Sequence, residues 1–271
     1  MKLENYIDFN EKVNLGIGHK VRDLNDIFKQ FEGFYSKEND ERLIFRGINE
    51  ASYKMYTSSQ RDWIINNSNE NYSSYLEILL ETSKGWNNGI LKKYLNSISN
   101  TFTENNLGYF SVMQHYGLAS PLLDFTYNPF IALYFAARDV EKCYYDDDCD
   151  NIRNFFSVYF IWPGWTNYKG FTKDLIDLDL HSLKNEVYHL VDYNVVFNNL
   201  NIIAQEGLFF VNTFSREDLI TSMQITSNTN YKVRFGCHNI HKSLAKPIME
   251  RLLDKGITET RLFPDFNMLK K

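Results

Sequence analysis

At 271 residues, with 44% apolar and 16% aromatic side chains, the chain has the material for a sizeable folded core. Its 29 basic and 34 acidic side chains give a formal net charge of -5, which excludes a global positive field that would gather nucleic acid or anionic membrane, although a local basic groove stays open. The three cysteines form no CxxC pair, which argues against a disulfide framework and a zinc site, so no metal is expected.

In chain order, the opening MKLENYIDFNEKVN carries Glu4, Asp8 and Glu11 where a secretory signal would need an apolar stretch, and no later run approaches transmembrane length. A cytoplasmic protein without membrane association is expected. Val21, Leu24, Ile27, Phe28 and Phe31 recur at helical spacing, so residues 20–32 read as an amphipathic helix within a helical lead spanning 1–40. LIFRGI, residues 43–48, reads as a buried strand. Residues 74–99 read as two helices broken near Gly85–Gly89. Pro129 and the following IALYFAA read as a helix start capped by Thr126 or Asn128. The acidic string Asp146–Asp148, flanked by Cys143 and Cys149, lacks the glycine and terminal glutamate of a calcium loop and reads as a solvated loop. FFSVYFIW, residues 155–162, has the make-up of a central strand; 207–211 and 231–235 are shorter strand candidates, and 247–255 is a helix closed by Gly256. With no repeat, linker or low-complexity tract, the whole is read as α+β, a single domain.

The chain has no P-loop, GxSxG or HExxH, and Gly16-Ile17-Gly18 lacks the third glycine of a dinucleotide fingerprint. Isolated polar residues in apolar surroundings stand out instead, because such residues are costly without partners. Arg46 breaks LIFRGI beside Gly47, suited either to gripping a phosphate bidentately where glycine lets a ligand approach, or to a structural pair with Asp124. His115 titrates near neutrality, which fits a general acid or base as well as a satisfied structural histidine. Asp124 pairs with Arg46 or caps the helix that begins at Pro129. Arg61, among hydroxyls in TSSQRD, reads as an anion site or an exposed turn. Tyr134, Phe135, Phe209 and Phe210 are ring-stacking candidates or core. Lys242, Lys246, Arg251 and Lys255 read as a solvated basic face.

Phe45-Arg46-Gly47, the stretch from His115 to Thr126 with Asn128–Ala136, then Gln205-Glu-Gly-Leu-Phe209 and Leu262-Phe-Pro-Asp265 occur in the order seen in FRG domain proteins. The resemblance runs from about residue 41 to 266 and implies an FRG domain over 41–271. It departs at Ala119-Ser120-Pro121, where the family more often has proline, threonine and arginine. More remotely, the layout resembles that of ADP-ribosyltransferases: an arginine on a first strand, a hydroxyl segment before an Ala-aromatic helix, and a late Gln/Glu motif. That resemblance implies a mixed, ADP-ribosyltransferase-like β core flanked by helices, with NAD as substrate.

On the same resemblance Arg46 and Gln205 are expected catalytic residues, and Arg46 and Thr126 expected NAD-binding ones; the chemistry of the residues themselves adds His115 and Asp124 to the catalytic set and Gly47, Arg61 and Tyr134 to the NAD-binding one. Arg46 holds the dinucleotide and Thr126 supports the ribose. Gln205 or Glu206 takes the late position; in a strand the two would point to opposite faces, and only the glutamate carries charge. An NAD-dependent ADP-ribosyltransferase of a bacterial toxin or defence type, acting on RNA or protein and opposed by an antitoxin or regulatory partner, is one expectation. A non-enzymatic nucleotide-sensing or interaction module is another. A hydrolase using His115 and Asp124 as acid–base partners is a third.

Overall fold

The computed structural model describes residues 3–36, 43–67, 69–98, 106–140, 145–162, 188–191, 200–227 and 234–264. Its spine is β4, Phe155–Trp162, whose alternate side chains enter different cores. Phe155, Tyr159 and Ile161 lie in one apolar cluster, whereas Phe156 and Val158 lie in another. A strand buried on both faces has no polar side to show, which is why FFSVYFIW reads as an unbroken apolar run. Beside it runs β2, Ile44–Ile48, paired antiparallel from Ile44↔Ile161 to Ile48↔Ser157.

The other strands are β1 (Lys20–Val21), β3 (Leu122–Thr126), β5 (Tyr188–Val191), β6 (Gly207–Asn212) and β7 (Arg234–His241). They form one seven-stranded sheet in the order β1-β7-β4-β2-β3-β6-β5. The β1–β7 pair is parallel and the rest antiparallel, so the fold is α+β with a mixed sheet. The seam between β2 and β3 is thin. It holds the single pair Phe45↔Thr126, against five pairs on each outer side of those strands, so the sheet centre has ladder positions left for side chains.

The helices are α1 (Phe9–Asn14), α2 (Leu24–Tyr35), α3 (Ser58–Asp62, continued as a π-turn to Asn67), α4 (Tyr72–Ile98), α5 (Asn106–His115), α6 (Pro129–Ala137), α7 (Leu200–Ala204), α8 (Leu219–Ser227), α9 (Ala245–Asp254) and α10 (Glu259–Leu262). Helices α2, α6 and α9 bury their apolar residues on one face of the sheet with Phe45, Phe156, Val158 and Ile240. Helix α6 is apolar all round because it lies between the sheet and other helices, with eight of its nine residues buried. Asn128, not Thr126, caps it, accepting from the Phe130 N–H at 3.0 Å.

Four sequence readings change. The first amphipathic helix starts at Leu24 rather than 20, because Asp23 caps it and Lys20–Val21 pair with β7 instead. Residues 72–98 form one helix, not two, although Gly89 within it takes φ +76, a conformation a glycine tolerates. The strand placed at 231–235 begins among the described residues at Arg234 and runs to His241. Its second half is polar yet buried, which hides the period-2 signal. Gln205 and Glu206 are not in a strand but in the turn between α7 and β6, with Glu206 at φ 47.

The segment before β2 is bound into the body. Lys12 of α1 is fully buried and donates to Ala51 O at 3.0 Å, Ser157 Oγ at 3.0 Å and Asn239 Oδ1 at 2.6 Å. Satisfying the ammonium this way offsets the cost of removing it from water. The basic face near α9 is not simply solvated: Lys242 is buried and pairs with Glu50 at 2.8 Å, and Lys255 pairs with Glu32 at 2.9 Å. Asp146 turns back on its own loop, bonding Asp148 N and the Asn154 amide, and Cys143 lies outside the described residues. Among the described residues no helix is long and apolar enough to cross a membrane, and no group of three potential metal ligands occurs.

Candidate functional site

A cavity of about 850 Å³ opens beside the thin β2–β3 seam. Its walls bring together Arg46, Gly47, Arg61, Asp124, Thr126 and Gln205 from β2, α3, β3 and the turn after α7. Residues far apart in the sequence thus line one cavity. Tyr134 instead sits in the core at 6% exposure, with its neighbour Phe135 on the cavity wall. His115 ends α5, and its side chain lies outside the described residues.

The Arg46 side chain crosses the seam. Its Nη1 donates to the carbonyl oxygen of Asp124 at 2.6 Å and lies 3.9 Å from the Asp124 carboxylate. The guanidinium thereby does what a missing ladder N–H would have done on β3. Its Nε is buried and makes no hydrogen bond, so one arm of the fork is uncommitted. Burial holds the Arg46 pKa below its ordinary value, Asp124 opposes that shift and nearby Arg61 adds to it. An arginine stays cationic under all these influences, so the accessible part of its side chain brings positive charge to the cavity wall.

Gly47 serves the helix more than the ligand. A Cβ there would lie 2.0 Å from Ala132 O and 2.6 Å from Ala136 N, so glycine is what allows α6 to press against β2. Arg61 lines the cavity from α3 and anchors one end of its guanidinium on Tyr56 O at 3.1 Å. The helix that carries it is fixed by a capping box between Thr57 and Gln60.

Asp124 alternates outward between buried Leu123 and Phe125. Its side chain is 62% accessible, but what it faces is the cavity rather than open surface. Surrounding protein therefore still raises its carboxyl above the usual range, with Arg46 and a hydrogen bond from Gln114 pulling it back. Gln114 was not anticipated from sequence. Its amide oxygen accepts from Ser120 Oγ at 2.6 Å, which leaves the amide nitrogen to donate toward Asp124. Ser120 also receives Ser58 and Ser59 of α3, so the departure at Ala119-Ser120-Pro121 is where α3, α5 and β3 are joined.

Thr126 and Gln205 are structurally occupied. The Thr126 hydroxyl donates to Gln205 O at 2.7 Å and accepts from Asn128 N at 3.0 Å. The Gln205 amide donates to Leu262 O at 2.9 Å. Glu206 is turned the other way, accepting from the Asn128 amide at 2.8 Å, and does not line the cavity. Of the two residues, Gln205 is the one on the cavity wall, and among the described residues the carboxylates there are Asp124 and Asp139.

The remaining wall comes from the end of α6 and the residue after α10. Arg138 lies over the rings of Phe135 and Phe263, 5.3 and 5.6 Å from their centroids, and pairs with Asp139 at 3.3 Å. Sequence reasoning gave Arg138 and Phe263 no role, although Phe263 lies within the quoted Leu262–Asp265 motif and Arg138 just past the Asn128–Ala136 stretch. Only the fold shows that the end of α6 meets the residue after α10.

No curated protein and no solved structure matches the chain. The family model of the FRG domain does match, at residues 41–144. Gln205 and Phe263 reach the cavity from outside that stretch. The segment that supplies Arg46, Gly47, Arg61, Gln114, Asp124, Thr126 and Arg138 to the site is thus the part of this chain that matches the FRG domain.

Proposed function

We propose that the cavity binds an NAD-type dinucleotide and that the chain is an ADP-ribosyltransferase of a toxin or defence type, transferring ADP-ribose to RNA or protein. The observation that carries the reading is the pair of guanidiniums, Arg46 and Arg61, on one cavity wall. Two guanidiniums suit a pyrophosphate, which presents oxygens to both. The transfer step rests further on the resemblance in layout and on Asp124. Departure of nicotinamide breaks the ribose–nitrogen bond, the electron pair leaving with the nicotinamide and positive charge developing on the ribose. Asp124 offers a carboxylate to stabilise that charge, and its raised pKa suits it to accept the proton released when the acceptor hydroxyl or amine bonds to the ribose carbon.

A second reading is favoured by one specific observation. Glu206 is committed to Asn128 and Gln205 to Leu262, so the late motif brings no acid to the cavity. A nucleotide-sensing module would then use the same arginines without turnover. Nicotinamide release from NAD, with mixed RNA and protein from a cell lysate as acceptor, separates the two. Release with label transfer, lost in Arg46→Ala and reduced about a hundredfold in Asp124→Asn, is expected of the transferase. Tight NAD binding with no release establishes the module instead.

A further inference from the structure

We propose that Phe135, Arg138 and Phe263 form a subsite for a planar heteroaromatic ring, and that Gln205 is a positioning residue that holds Phe263 in it. The proposal builds on the dinucleotide reading and assigns the orientation of the ligand within the cavity.

The subsite is assembled from two separate parts of the chain. Phe135 and Arg138 are on or just past the last turn of α6, and Phe263 follows α10. The two phenyl rings meet edge to face at 88° with centroids 5.9 Å apart, and the Arg138 guanidinium lies against both. All three side chains line the cavity, and Phe135 and Phe263 are only partly buried. Apolar rings that keep cavity-facing area beside a delocalised cation form a stacking surface for a nucleobase or a nicotinamide.

Charge sets the direction. Arg46 lies beside Asp124 and near Arg61, which makes no ion pair among the described residues, whereas Arg138 is matched by adjacent Asp139 at 3.3 Å. Phosphates are therefore favoured at the first wall and disfavoured beside Asp139 at the second. Asp139 also offers an acceptor for the exocyclic N–H of an adenine or a carboxamide.

Gln205 connects the two walls. Its backbone carbonyl receives the Thr126 hydroxyl on β3, and its side-chain amide donates to Leu262 O, the residue before Phe263. That accounts for a glutamine where a charged acid would fail: an ionised carboxylate has no proton to donate to a carbonyl.

The test is calorimetric titration of the full chain with AMP, nicotinamide mononucleotide, NAD and inorganic pyrophosphate. Wild type is compared with Phe263→Leu, Phe263→Tyr and Gln205→Glu, each checked for an unchanged thermal melt. Phe263→Leu is expected to weaken the ring-bearing ligands about tenfold, from the loss of one stack, with pyrophosphate affinity unchanged. Phe263→Tyr keeps a ring and is expected to restore them, and Gln205→Glu to resemble the leucine variant. Whichever of AMP and nicotinamide mononucleotide shows the loss identifies the ring that docks there. Equal losses for pyrophosphate, or ring-bearing ligands that bind the leucine variant as they bind wild type, would overturn the subsite. Failure of every nucleotide to bind wild type would overturn both the subsite and the dinucleotide reading. Phe263-dependent nucleotide binding without nicotinamide release would sink the transferase alone.

Discussion

The residues of the Phe45-Arg46-Gly47 element do three different jobs. Phe45 is buried at 1% exposure in the core beneath α2 and α6, Arg46 turns to the cavity, and Gly47 leaves room for the helix. The first two roles follow from alternation along a strand and were legible as soon as LIFRGI was read as one. The third was not. A glycine beside an arginine invites the reading that a ligand approaches the backbone, whereas the atoms it spares are Ala132 O and Ala136 N. Gly47→Ala is accordingly expected to destabilise the fold by about 3 kcal/mol, because the clash is with backbone on both sides and no side chain can swing away. Denaturant unfolding measures this, and a midpoint equal to wild type would show that α6 does not need the contact.

Among the elements, those that carry strong local signals were read close to their true bounds. The strand β4 agrees at both ends, α6 starts at its proline, and α9 closes at Gly256 as its pattern requires. The misreading of β7 has a clear cause: polar residues whose partners come from far along the chain. In β7, Asn239 is fully buried and bonds Lys12, Ile17 O and His19 O, more than two hundred residues away in sequence. No window along the sequence contains that information. Gln114 and Phe263 carried no assigned role for a related reason: each matters only through a contact outside its own element, Gln114 with Asp124 and Phe263 with Phe135 and Arg138.

The Lys12 node tests the same point energetically. It joins α1, the residue Ala51, β4 and β7 through one ammonium. Lys12→Met keeps the length and the contact with the Tyr6 and Tyr159 rings but leaves three acceptors short of a donor. A loss of about 2 kcal/mol in thermal or chemical unfolding is expected. Unchanged or increased stability would mean that desolvating the ammonium costs as much as its bonds return.

For the whole molecule, acid sensitivity is the property these buried groups predict. His238 lies among Phe31, Phe34 and Phe160 with both ring nitrogens unbonded, and burial, with a smaller push from His19, brings its pKa down to about 4. A histidine with a depressed folded pKa contributes stability in full above its unfolded value near 6.5, and that contribution is lost as pH falls toward 4. Asp124 has the opposite sign: its raised carboxyl favours the fold below the ordinary carboxylate range and less so as pH rises through its folded value. The loss between pH 6.5 and 4 is therefore assigned to His238, and melting curves of His238→Phe are expected to be flatter over that interval than those of wild type. Parallel curves would place the sensitivity elsewhere.

The proposed function requires the cavity to be an anion site built on the Arg46 guanidinium. Its most direct test is equilibrium titration of NAD into wild type and Arg46→Lys, with melting temperatures as the control for folding. Lysine keeps the charge but loses the planar fork, so the second donor has no replacement. A weakening of roughly thirtyfold, about 2 kcal/mol, is predicted at an unchanged melting temperature. NAD binding that is equal in the two proteins, or absent from wild type, would contradict the site itself.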